Sequence, residues 1–398
     1  MLTRIKTIPV LLSLLLLISV SPVIHGICQA EVKEWTLLVY LNGNNEDDEL
    51  VPLVLNQLEQ AGTTAHINVV VQWAGLSEGH VRRALVVRDS DPRMFTSPVI
   101  DDLTGTDMGH WQSLVEFIRW GVTNYPARHY FIGMKCPAAP WPEGLSVDAT
   151  TGSSMTFQEL GQALDEASRF IGRKIDIFGI DAGLVQMIEL ACELEDSVEI
   201  LVASQDTAPA GGWPYERFLN EWTRNPGATR HAVAGMVVGE YIREAHKHGP
   251  ATLSALELWK LRSFKRTMGE LVESMMSADA EQREIILTVA ASSRRFKGTN
   301  QADLIEFINR LAIGAIKNPT IFQGMPLFLK RLLVVDYTTR NMFVSNGKTP
   351  PEHRTNGISV WLPGSGDAYE AHAQEYESLR FHSGTGWNNL LRHLLDRP

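Results

Sequence analysis

Between residues 35 and 204 the chain alternates two patterns. Short, nearly unbroken apolar runs occupy residues 35–41, 67–73, 129–134, 175–179 and 200–204. They are rich in β-branched side chains and each ends in polar or glycine-rich sequence, as expected of parallel strands buried on both faces. Between them, at 50–60, 111–123, 157–170 and 184–194, apolar residues recur every three or four positions, the period of a helix with one buried stripe. Strand–helix–strand alternation requires crossover connections, so the pattern predicts an α/β fold with a mainly parallel sheet flanked by helices. The second half is more helical, with helices expected at 231–246, 258–278, 280–291 and 302–316, and late strands at 251–256, 332–337 and 357–362. No Ser/Gly linker, repeat or low-complexity tract divides the chain. One α/β domain is expected over 31–398, with a helical insertion at about 215–330.

The N-terminus has a different pattern. Arg4 and Lys6 precede an apolar core at 8–20, and Cys28-Gln29-Ala30 fits a small-x-small cleavage site, so residues 1–30 are expected to be a signal peptide. The apolar run is short and interrupted by Pro9 and Pro22, which disfavours a permanent spanning helix. Ile27 before Cys28 does not suit a lipoprotein signal. The mature chain is therefore expected to be exported, periplasmic or extracellular, without stable membrane insertion. At 44% hydrophobic and 21% charged residues the chain is globular. A net charge of -10 argues against a general nucleic-acid or anionic-membrane binder. Beyond the signal only Cys136 and Cys192 remain, too few for a disulfide scaffold, and a bridge between them stays open.

Candidate chemistry is sparse. His66, His80, His110 and His129 lack the spacing of a zinc site. The acidic run at 44–49 lacks the mid-loop glycine of a calcium hand and suits a helix start equally well. There is no phosphate loop, dinucleotide fingerprint or serine elbow, so no metal and no cofactor are expected. What remains is the corner at 175–186, a buried strand running into Asp181-Ala182-Gly183 and then a predicted helix. In α/β folds chemistry is placed at such carboxyl strand ends, yet Gly183 has no side chain to attack, ligate or carry a proton. The loops at 134–141, 181–184 and 204–215 follow three strands, and are expected to frame a cleft lined by Asp181, Asp206, Trp141 and Trp213.

From about Trp35 to the C-terminus the chain resembles the clostripain-type cysteine peptidases, which have a caspase-like fold and cut after basic residues. The opening strand at 35–41, the segment at 108–127, the strand and acid Asp176-Ile-Phe-Gly-Ile-Asp181, Gly211-Gly-Trp-Pro-Tyr215, the run 357–363 and the aromatic spacing over 376–387 carry the likeness. The resemblance implies a catalytic cysteine where Gly183 stands. Aligning Trp141 with the family's trailing tryptophan places Pro137 at the catalytic histidine and Ala138 at the following glycine. Neither Gly nor Pro can replace a thiolate–imidazole pair, and Pro137 also lacks a backbone N–H. The resemblance gives Asp181 a place in an acidic pocket for Arg or Lys, with Asp206 as a second wall; capping of the next helix is the structural alternative for Asp181. Three functions stay open: an inactive homologue that binds basic peptides in this cleft, a peptidase using Cys136 as a relocated nucleophile with His110 or His129 as base, and an interaction scaffold with a vestigial cleft whose partner surface lies in the helical region around 259–276.

Overall fold

Each of the five apolar runs of the first half forms a strand. The computed structural model describes residues 32–76, 79–137, 141–209, 211–245, 247, 249–296, 298–324, 327–348 and 355–395. The expected signal peptide and Ala138 lie outside them. The strands are β1 (Lys33–Gly43), β2 (Ile67–Gly75), β3 (Val81–Leu85), β4 (Val99–Leu103), β5 (Ala127–Lys135), β6 (Ile175–Asp181), β7 (Val198–Ala203), β8 (Thr252–Glu257), β9 (Gln301–Asp303), β10 (Phe343–Lys348) and β11 (Ser359–Trp361). Nine form one sheet in the order β10-β8-β7-β6-β5-β1-β2-β3-β4. The central β2, β1, β5, β6 and β7 are parallel; on one side β3 pairs antiparallel with β2 and β4 with β3, and on the other β8 pairs antiparallel with β7 and β10 with β8. β9 and β11 form a separate antiparallel pair.

Side-chain alternation along β1 feeds two cores. Trp35, Leu37, Val39 and Leu41 face one side, where α1 (Val51–Ala61), α5 (Tyr215–Arg224) and α6 (Arg230–Ala245) pack. Leu38 and Tyr40 face the other, with α2 (Trp111–Asn124), α3 (Phe157–Ile171), α4 (Ile188–Leu194), α7 (Leu261–Met276), α8 (Ala280–Ser292), α9 (Leu304–Lys317) and α10 (Phe328–Asn341). Four short C-terminal helices, α11 (Gly366–Glu370), α12 (Ala373–Glu377), α13 (Arg380–Thr385) and α14 (Trp387–Leu395), close this second core.

Three expectations need correction. Residues 332–337 lie inside α10, because Phe328, Leu332, Val335 and Thr339 are the buried positions and their spacing is helical. The helix expected from 184 begins only at Ile188: Leu184 takes a left-handed φ of 64°, and the backbone of Val185 and Gln186 bonds to Ser204 O instead. The region 215–330 is threaded through the sandwich. Its α5 and α6 cover one face, and its β8 joins the main sheet between β7 and β10.

Candidate functional site

The ends of β5 and β6 define the site. These strands are parallel neighbours in a register that sets Lys135 opposite Asp181, their last residues. Pro137 and Gly183 each lie two residues further on, so they leave the sheet level with one another on adjacent strand ends.

At Gly183 the backbone of the loop after β7 is packed close. A Cβ built there would stand 2.7 Å from Ala208 N, 2.9 Å from Thr207 Cα and 3.1 Å from Asp206 O. Those are main-chain atoms, so no side chain fits without moving a loop. The same loop consumes the amides that follow: Leu184 N donates to Asp206 O at 3.0 Å, and Val185 N and Gln186 N donate to Ser204 O at 3.0 and 2.9 Å. Pro137 brings no N–H, and its carbonyl accepts from Ser146 N at 3.0 Å.

Asp181 is 1% exposed. It does not cap a helix, since α4 starts seven residues later; its Oδ2 accepts from Trp213 N at 2.9 Å. Gly212 covers it with φ 65°, and a Cβ there would meet Asp181 Oδ2 at 2.5 Å. Oδ1 has no hydrogen bond, although the Tyr215 hydroxyl is near enough to favour the carboxylate. Burial raises the Asp181 pKa against the opposing pull of Lys135. Burial alone would lower the Lys135 pKa, but Asp181 and Asp47 outweigh it and hold the ammonium charged; Asp47 Oδ2 is 3.7 Å from Nζ. Asp206 faces elsewhere. Its Oδ1 accepts from its neighbour Thr207 N at 2.8 Å, and Oδ2 is 3.9 Å from the Arg294 guanidinium. The two acids of the expected cleft therefore each have a cation of the same chain beside them.

The expected aromatic walls do not meet. Trp141 packs in the second core against Trp361 and Tyr376, with ring centroids at 4.9 and 5.3 Å. Trp213 packs on the opposite face of the sheet with Phe131, Tyr215 and Phe218. Cys136 belongs to the second core, and burial pushes its thiol up to about 12. His129 is the third residue of β5, towards the far end from Cys136, with Nδ1 2.9 Å from Asp176 Oδ1; His110 precedes α2. Cys136 and Cys192 are both free. Among the described residues no group of His, Cys, Asp and Glu suits a metal ion, and no helix is long and apolar enough to cross a membrane.

Lys135 and Arg294 are not singled out in the sequence, and Gly212 and Tyr215 appear there only within the run 211–215, with no role in the site. Lys135 carried one signal, a cation interrupting the apolar run Met134-Lys135-Cys136.

The sequence profile of the clostripain family matches residues 39–394. No curated protein sequence matches the chain. Among solved structures, a secreted C11 cysteine protease from Bacteroides thetaiotaomicron, held with an irreversible peptide inhibitor, is 15% identical with a TM-score of 0.69, covering 89% of this chain and 99% of that one. An inactive zymogen C11 protease from Parabacteroides distasonis is 14% identical with a TM-score of 0.69 and the same coverage. At such identity these structures establish a shared fold, the caspase-like arrangement of a mixed sheet between helices. With the profile match spanning nearly all of the described chain, this protein belongs to the clostripain family.

Proposed function

We propose that this protein is an exported member of the clostripain family that acts by binding rather than by peptide hydrolysis, its former catalytic corner having become a structural junction. The observation that carries the reading is the packing at Gly183: the position that the family resemblance assigns to the nucleophile is filled by the main chain of residues 206–208. Three further features support it. The amides of residues 184–186 are already bonded, so they are not free to hold an oxyanion. Cys136 has a strongly raised pKa and no imidazole in its loop, which makes it a poor nucleophile. Lys135 lies beside Asp181, the acid that the family resemblance assigns to a pocket for a basic side chain, and already supplies it with a cation.

The test is hydrolysis of Arg- and Lys-containing reporter peptides, with labelling by a thiol-reactive peptide, on the wild-type chain and on Cys136→Ser. No turnover and no labelling of either is expected. Turnover by the wild type that is lost in Cys136→Ser would restore the relocated-nucleophile reading. A second reading, recognition of a basic side chain by Asp181, rests on the free Oδ1 of that residue. It requires Gly212 and Lys135 to move aside. Calorimetry with an Arg-containing peptide decides it: saturable binding abolished by Asp181→Ala supports recognition, and absence of heat up to millimolar peptide supports the closed corner.

A further inference from the structure

A second surface lies at the sheet edge opposite Gly183. Lys174 immediately precedes β6, whose other end is Asp181, and it lines a groove of about 850 Å³ with Trp259, Lys260, Arg262, Arg266 and Asn341. Trp259 stands in the short 3-10 turn before α7 and is 61% exposed. Arg262 and Arg266 follow on α7, four residues apart on one exposed stripe.

Charge and pairing set these residues apart. Lys174 donates to Glu195 O at 2.6 Å, and Lys260 donates to Asn341 O at 2.6 Å and pairs with Glu257 at 2.5 Å. The side chains of Arg262 and Arg266 make no hydrogen bond or ion pair with another described residue. Acids are not scarce, since the chain carries 46 acidic against 36 basic residues. Two unrecruited guanidiniums beside an exposed indole form a cationic, partly apolar groove on an acidic protein. Arg takes carboxylates bidentately, and Trp with Arg dominates the energetics of protein interfaces. The groove is not uniformly basic. Asp196, with its side chain 70% exposed and held by Arg380 at 2.9 Å, stands on its wall and opposes a continuous polyanion.

We propose that this groove binds a short acidic peptide segment of a partner protein, with carboxylates on Arg262 and Arg266 and an apolar side chain on Trp259. The site is independent of the Gly183 corner and stands whether or not that corner is closed. Its test is fluorescence anisotropy of the full chain with a labelled octapeptide alternating Asp and Leu, beside a Lys/Leu peptide and a heparin hexasaccharide. Saturable binding of the acidic peptide is expected, weakening as salt rises. Trp259→Ala and the pair Arg262→Ala with Arg266→Ala should each lose at least about tenfold in affinity. All three side chains are exposed, and circular dichroism verifies folding of the variants. No saturation by the acidic peptide, equal binding by the variants, or preference for the Lys/Leu peptide overturns the proposal. Tighter binding of the hexasaccharide that depends on the same two arginines overturns it in favour of a polyanion site.

Discussion

An alanine at Gly183 would press its Cβ against Ala208 N and Thr207 Cα, two main-chain atoms that cannot rotate away. Overpacking against backbone costs about 1–3 kcal/mol, so Gly183→Ala should lower the free energy of unfolding by that amount, with Gly183→Cys at least as costly. Denaturant titration of both variants checks this; wild-type stability in Gly183→Cys would mean that the corner still has room for a thiol. Lys135 poses the electrostatic counterpart. In Lys135→Met the Asp181 carboxylate keeps its burial and loses its nearest cation. Removing one member of a buried pair costs on the order of 3–5 kcal/mol. The loss should be greatest at pH 8 and smaller at pH 5. Asp181 would then hold a proton in the folded state that the unfolded chain has released, so stability rises as pH falls. A penalty that does not change with pH would show that Asp181 does not depend on Lys135 for its charge.

The elements read most plainly in the sequence are those buried on both faces. β2 is buried along its whole length and β6 likewise, so their apolar runs needed no context. α10 was misread because Leu332-Leu333-Val334-Val335 is apolar at every position, which leaves its period undefined. Packing defines it: Leu332 and Val335 are fully buried, whereas Leu333 is 64% and Val334 38% exposed. A strand would pair Leu332 with Val334 on one face; the helix pairs Leu332 with Val335. Leu332→Ala should therefore cost about 2–5 kcal/mol, while Val334→Ala should stay within about 0.5 kcal/mol. Equal losses at both positions would contradict the helix. The site was half legible for a related reason. Asp181 announced itself as an acid at a strand end, but its pairing with Lys135, 46 positions earlier, depends on strand order and register, which neighbouring residues do not encode. Trp141 follows β5 and Trp213 follows β7, with β6 between those strands, and the two side chains enter cores on opposite faces of the sheet.

At the scale of the whole molecule, the C-terminal helices are joined to the sandwich through α4. Glu189 on α4 is fully buried, accepting from Tyr376 Oη at 2.6 Å and from Trp361 N at 2.8 Å. Glu193, one turn on, accepts from Arg380 N at 2.7 Å. Trp361, Tyr376 and Trp141 pack around this junction, and Trp387 Nε1 donates to Trp361 O at 3.0 Å. One carboxyl group thus ties β11 and α12 to the helix beside β6, and its charge state bears on the attachment of the whole C-terminal region. Burial pushes the Glu189 pKa from 4.5 up to about 7, against the opposing effect of its two donors. The folded protein therefore keeps a proton that the unfolded chain releases above its own pKa. Stability falls as pH rises from about 4.5 to about 7, by roughly 3 kcal/mol at 1.36 kcal/mol per pH unit, and the penalty is complete above the folded pKa. Glu189→Gln keeps an acceptor for Tyr376 and Trp361 and cannot ionise. It should match the wild type near pH 4.5 and exceed it by up to about 3 kcal/mol at pH 8. Urea titrations of both chains across that range measure the difference. A constant gap between the two curves would mean that Glu189 stays charged in the folded protein. A gap that widens with pH, accompanied by earlier proteolysis of the wild-type C-terminal helices at pH 8, would place the ionisation at this junction.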